Sequence, residues 1–153
     1  MKTKNRWISI AFIFSLLGIA FSLYLTSHHY DLLYGLREGK SFCNISSTFD
    51  CDAVNASSFS EIFGIPVALL GALSYLVKML FLVGIRAFGE EEKAKPARFF
   101  FYLSWGNILA SIYMAFASAF ILKNFCLFCV SLYAINLVLL VCAYKLRPKN
   151  FKP

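Results

Sequence analysis

Charge is scarce in this chain. Only 15% of its 153 residues are Asp, Glu, Lys or Arg, and 59% are hydrophobic. A water-soluble domain carries about a quarter charged residues, so a soluble globular fold is excluded and the apolar excess points to lipid. Acidic residues are rarer still, eight against fifteen Lys and Arg, which leaves a net charge of +7. The basic excess forms no stripe, which excludes a nucleic-acid interface. It lies instead at the ends of apolar runs, where anionic headgroups and topology signals place it. There are no internal repeats and no low-complexity tracts. No Ala-x-Ala-type cleavage site follows the first apolar run before His28. That run is also longer than the apolar part of a signal peptide, so Lys2, Lys4 and Arg6 introduce a retained helix.

What the chain does contain is four apolar runs, at residues 7–27, 66–88, 97–122 and 125–146. Each reaches the roughly 20 residues that a helix needs to cross a bilayer. The expected fold is an all-α membrane protein, a four-transmembrane-helix bundle forming a single integral membrane domain over residues 1–153, with a long outer loop. Orientation follows from the connections. Lys2, Lys4 and Arg6 precede the first run; Arg86, Lys93, Lys95 and Arg98 flank the middle connection; Lys145, Arg147, Lys149 and Lys152 end the chain. The opposite side has Arg37, Lys40 and Lys123, so the balance is eleven against three and both termini are expected in the cytoplasm. Lys78 falls within the second run, where its stem is expected to snorkel toward the cytoplasmic face.

The loop at residues 28–65 is rich in Ser, Asn and Asp and carries Cys43 and Cys51. Near its end, Ser58-Phe59-Ser60-Glu61 reads as a capping box, which predicts a short helix carrying Phe59, Ile62 and Phe63 into the membrane interface. Gly64-Ile65-Pro66 should end that helix, since proline suits a first helical turn and not an interior one. The loop is therefore expected to lie over the outer mouth of the bundle.

Four of the five cysteines fall on the outer side of this topology. Cysteines outside the cytoplasm meet an oxidising compartment. Cys126-Leu127-Phe128-Cys129 opens the fourth run, where unpaired helix N–H groups favour the thiolate that attacks disulfides. Spacing of three places both sulfurs on one helix face. A structural bridge within one turn would close a very small loop and stabilise little, so a redox pair is the stronger reading. Cys43 and Cys51, taken alone, read equally as a static clip on the loop. A zinc site using all four is a third option, although Cys-x7-Cys is not a zinc knuckle. Cys142, deep in the fourth run, reads as a small apolar residue.

Together these residues resemble the vitamin K epoxide reductase family, including its bacterial members. The resemblance is carried by Cys43, Cys51-Asp52 and Ser57, by Ile62-Phe63-Gly64-Ile65-Pro66-Val67, and by Cys126-Leu127-Phe128-Cys129 followed by Tyr133-Ala134-Ile135-Asn136. The related DsbB group has the reverse order of cysteine pairs. The resemblance implies that Cys126 and Cys129 are the active-site pair, with Cys129 nearest a quinone, and that Cys43 and Cys51 shuttle electrons from a soluble or anchored thioredoxin-like or DsbA-like protein. It implies a serine near the quinone at Ser57 and a quinone-carbonyl hydrogen bond from Tyr133, and it makes the outer loop a cap on the quinone site. Vertebrate members have asparagine where this chain has Ser60, the candidate second carbonyl contact.

The resulting expectation is a quinone-dependent thiol–disulfide oxidoreductase of the bacterial inner membrane, using ubiquinone, menaquinone or a vitamin K-type quinone and no metal or flavin. Bacterial members often carry a fused thioredoxin-like domain; with the chain ending at Pro153, a separate partner is expected. An endoplasmic-reticulum enzyme reducing vitamin K epoxide is the alternative. A reading from another class is a non-enzymatic scaffold or transporter with structural disulfides.

Overall fold

The computed structural model describes residues 2–36, 43–44, 48–87 and 94–147. Arg37 and Lys40, residues 88–93 with Lys93, and residues 148–153 lie outside them. Helix α1 spans Lys2–Leu33, the short α2 Cys51–Asn55, α3 Val67–Ala87, α4 Ala94–Phe116 and α5 Leu127–Leu146. Four of these are long and apolar enough to cross a membrane: α1, α3, α4 with its extension to Leu122, and α5. Leu16, Leu80, Leu109, Ile112 and Leu137 point outward from them, as side chains facing lipid would. The chain is an integral membrane protein with an all-α, four-helix fold.

The helices pack in a ring, α1 against α3, α3 against α4, α4 against α5 and α5 back against α1. Gly18 makes the α1–α3 contact close, because a Cβ there would meet the Tyr75 ring at 2.8 Å. The deeper half is an apolar core built from residues such as Ile8, Leu82, Phe100, Leu139 and Leu146. Cys142 is buried within it, as expected of a small apolar residue.

Helix α1 outruns the apolar run that predicts it. Its 32 residues measure about 48 Å at 1.5 Å each, against roughly 30 Å of hydrocarbon. The surplus carries His28 and His29 beyond the apolar stretch, where both are buried under the outer loop.

Two local expectations are corrected. The capping-box segment does not start a helix. Ser58–Ser60 makes one 3-10 turn, and Glu61–Ile62 pairs antiparallel with Ile65–Pro66. The reason is the Phe63-Gly64 pair, with φ of 53° and 77°, a two-residue turn in which both positions are left-handed and whose twist suits a hairpin. Phe63 is fully exposed at its tip, with Ile62 and Ile65 exposed beside it. Lys78 does not snorkel either. It lies on the stripe Ala72, Tyr75, Lys78, Leu82 and Ile85, the buried face of α3, and is completely enclosed. Helical phase, rather than depth, decides where its stem points.

Helix α4 ends in a π-helical segment, Ala117–Leu122, closed by Lys123 in the left-handed region at φ 53°. That widened turn brings the chain back to Phe125 and the start of α5 beneath the outer loop.

Candidate active site

The outer loop is tied to the bundle at three places. Phe125 N–H donates to Thr48 O at 2.8 Å and Asp50 N–H to Phe125 O at 3.1 Å, a parallel bridge that sets Phe49 opposite Phe125. His28 Nε2 lies 2.6 Å from Asp52 Oδ1, and Asn44 Nδ2 donates to Asp52 Oδ2 at 2.7 Å. His29 Nδ1 meets Asn55 O at 2.7 Å while its Nε2 lies 3.0 Å from Glu61 Oε1. The Asp50 carboxylate caps α2 by accepting from Ala53 N–H. Asn44 Oδ1 accepts from Cys51 N–H at 2.9 Å. These bonds use backbone and side-chain groups that a free loop would leave to water, so they hold Cys51 in one place.

Cys43 and Cys51 are joined by a disulfide and are buried. With Leu25, Val54 and Cys126 they form one buried cluster, against which Cys129 packs. Cys126 and Cys129 are free thiols. Cys126 is the N-cap of α5, and its Sγ accepts from Cys129 N–H at 3.4 Å. The hydrogen bond from the Cys129 thiol holds Cys126 below the ordinary thiol value. Burial opposes this, and the Cys129 and Phe128 backbone N–H groups support it. Thus Cys126 is the thiolate-favouring member of the pair, as its helix-start position predicts. Among the described residues, no group of three or more His, Cys, Asp or Glu is arranged to hold a metal ion.

Below the cysteines lies a mainly apolar cavity of about 230 Å³. Cys129, Tyr133 and Asn136 line it from α5, Ser111 and Asn107 from α4, Tyr75 and Gly71 from α3, and Ser22 and Leu25 from α1. The outer loop adds Val54, Asn55, Ser60 and Ile62 to its wall. The Tyr133 hydroxyl is buried and makes no well-formed hydrogen bond among the described residues. Ser118 is its buried polar neighbour on the widened turn and likewise lacks such a bond.

A sequence model of the vitamin K epoxide reductase family matches residues 9–144, nearly all of the membrane-spanning part. The chain belongs to the vitamin K epoxide reductase family. It is 26% identical over 142 residues to vitamin K epoxide reductase complex subunit 1 of Mus musculus and, equally, of Rattus norvegicus, covering 88% of this chain and 87% of each relative. Membership makes the chain an oxidoreductase of the kind that acts with quinones or vitamin K.

Within this vitamin K epoxide reductase family member, the expected site residues divide. Cys129, Tyr133 and Ser60 meet at the cavity, and Cys43, Cys51 and Cys126 gather above it. Ser57 stands apart from the cavity walls, with its hydroxyl donated to Val54 O at 2.7 Å. Ser60 reaches the wall, but its one hydroxyl proton already faces the Asn55 and Ser57 carbonyls at 2.7 Å. Sequence reasoning missed Asn55, Asn107, Ser111 and the loop anchors His28 and His29. For Asn107 and Ser111 the signal was present, as polar residues four apart in an apolar run lie on one helix face.

Proposed function

We propose that this protein is a quinone-linked thiol–disulfide oxidoreductase that generates protein disulfides outside the bacterial cytoplasm, residues 1–153 acting as one membrane domain. The observation that carries the reading is the burial of Cys51 and Cys126 in one cluster, with Cys129 both beside them and in the cavity wall. A reduced thioredoxin-like or DsbA-like partner gives two electrons to the Cys43–Cys51 disulfide and leaves oxidised. A loop thiolate then attacks an oxidised Cys126–Cys129 bond at Cys126, displacing Cys129 as thiolate. The second loop thiolate attacks the loop sulfur, restoring Cys43–Cys51 and freeing Cys126 as the second thiolate. The dithiol state of Cys126 and Cys129 is the form that holds the electron pair.

The cavity fits a quinone ring. Its walls are mainly apolar, and the buried Tyr133 hydroxyl is a hydrogen-bond donor suited to a ring carbonyl. A bound quinone supplies the acceptor for the two electrons and two protons released when Cys126 and Cys129 reoxidise. Tyr133 binds and orients the ring, the loop excludes water, and Cys126 exchanges with the loop pair. With both termini cytoplasmic, the loop faces the partner side.

The names of the two rodent relatives favour vitamin K epoxide as a second substrate. One assay separates the readings: purified full-length protein in bilayer discs, a reduced thioredoxin-like donor, and either a quinone or vitamin K epoxide. Quinone consumption matched one-to-one by donor disulfide supports the proposal, and consumption of the epoxide alone favours the second reading. Donor that stays reduced with both would leave the scaffold reading.

A further inference from the structure

Lys78 is enclosed completely within the bundle, and its Nζ has no hydrogen-bond partner among the described residues. Residues 7–30, 67–85, 99–122 and 127–144 contain no other Asp, Glu, Lys or Arg. A lone buried amine with no counter-charge is costly, and such groups in membrane spans face functional cavities by default.

Its surroundings connect it to the cavity. The Nζ lies 5.1 Å from the centre of the Tyr75 ring. Tyr75 itself borders the cavity, and its hydroxyl donates to Asn136 Oδ1 at 2.8 Å. Asn136 Nδ2 then donates to Ser111 Oγ at 2.9 Å, also in the cavity wall. Gly18 against Tyr75 and Ser22 beside Gly71 set the antiparallel register of α1 on α3, which puts Ser15 level with Lys78. Ser15 Oγ is buried and unbonded as well. The Ser74–Asn107 hydrogen bond brings Ser104 of α4 to this level, where its hydroxyl is donated to Phe100 O. On α5 the same level is held by Leu139, with Cys142 a turn deeper. At this level and a turn deeper the titratable side chains are Tyr75 and Cys142, and no helix offers a carboxylate there.

We propose that Lys78 makes the cavity selective for anionic rings: acidic, ring-hydroxylated quinones over neutral quinones of the same shape. By the same charge it favours the negative oxygen that ring reduction creates. In a low-dielectric, salt-free interior one charge acts across a tyrosine ring with little screening. An anion in the cavity lowers the free energy of the ammonium form of Lys78. The inference rests on the cavity being a quinone site.

The test is calorimetric binding to full-length protein in detergent, with 1,4-naphthoquinone as the neutral probe and 2-hydroxy-1,4-naphthoquinone, an anion at neutral pH, as the charged one. Lys78→Met keeps the stem and removes the charge. The affinity ratio of anion over neutral probe should fall about ten-fold or more, with the neutral probe changed less than about two-fold. The melting temperature of Lys78→Met should equal or exceed that of the parent, because an uncompensated buried amine is gone. Lys78→Arg should keep the anion preference. An unchanged ratio, equal loss of both probes, or a Met variant that no longer folds overturns the inference and makes Lys78 structural. A parent protein that binds neither probe overturns the quinone site itself.

Discussion

Phe49 and Phe125 face each other across a parallel backbone bridge, their ring centres 6.3 Å apart. Each is next but one, or next, to a cysteine: Phe49 precedes Cys51 by two residues, and Phe125 adjoins Cys126. The bridge therefore acts as the register pin that holds the loop disulfide against the start of α5. Without it, the loop pair would search for Cys126 from a long flexible connection, at the entropic cost of ordering each residue anew.

Removing Cys43 should trap the exchange. Cys51 then attacks Cys126 with no second loop thiol to resolve the bond, so Cys43→Ala should accumulate a Cys51–Cys126 disulfide by peptide mapping. Adding Phe49→Ala removes an aromatic contact worth about 0.5–1.5 kcal/mol and should lower the trapped yield a few-fold. Single-cysteine variants that keep one unchanging pairing would instead identify the Cys43–Cys51 bond as a static clip.

Tyr133→Phe keeps the ring and removes only its hydroxyl. Loss of about 1–2 kcal/mol of transition-state stabilisation is expected, a several-fold to tens-fold fall in quinone reduction. Cys142→Ala, in the apolar core two turns deeper, should leave the rate nearly unchanged. Equal losses from the two variants would remove the ring from beside Tyr133.

The pH behaviour of Cys126 has a definite sign. Folding lowers its pKa below the ordinary thiol value, chiefly through the hydrogen bond from Cys129. Its contribution to stability is complete above the ordinary thiol value and is lost as pH falls through the lowered one. Thiolate absorbance near 240 nm, taken as the difference between reduced protein and its Cys126→Ala variant, should therefore persist below the pH at which free cysteine loses it. Cys129→Ala should move the midpoint upward. A midpoint that stays put would mean that the Cys129 thiol does not tune its neighbour.

Orientation is open to a labelling experiment. Cysteines introduced at residues 90–95 should react only from the cytoplasmic side, and those at 44–49 only from the opposite side, following the distribution of Lys and Arg. Reaction of residues 44–49 from the cytoplasm would place the shuttle pair on the wrong side for an extracytoplasmic partner.

Much of the architecture was legible residue by residue. Four runs of apolar side chains foretold four spanning helices, because exclusion from water is a property each side chain carries with it. The Cys-x-x-Cys motif at the head of the fourth run correctly marked a helix start, since the cap belongs to a few adjacent residues. The misreadings are also local. The capping box at Ser58–Glu61 was outweighed by the left-handed Phe63-Gly64 turn, which closes a hairpin from residues just beyond the motif. Hydropathy likewise places Lys78 within the second run without saying which way its stem turns.

What only the tertiary structure decided is which side chains share a space. Helical phase turns Lys78 inward beside Tyr75, and the extra turns of α1 carry His28 and His29 under the loop to Asp52 and Asn55. Asn55, Asn107 and Asn136 come from three different elements to one cavity. Composition and spacing determined that this chain would enter a membrane as helices and carry two cysteine pairs. The meeting of those pairs above a mainly apolar cavity depended on long-range packing, because a contact is a relation between residues distant in the chain and no single residue holds it.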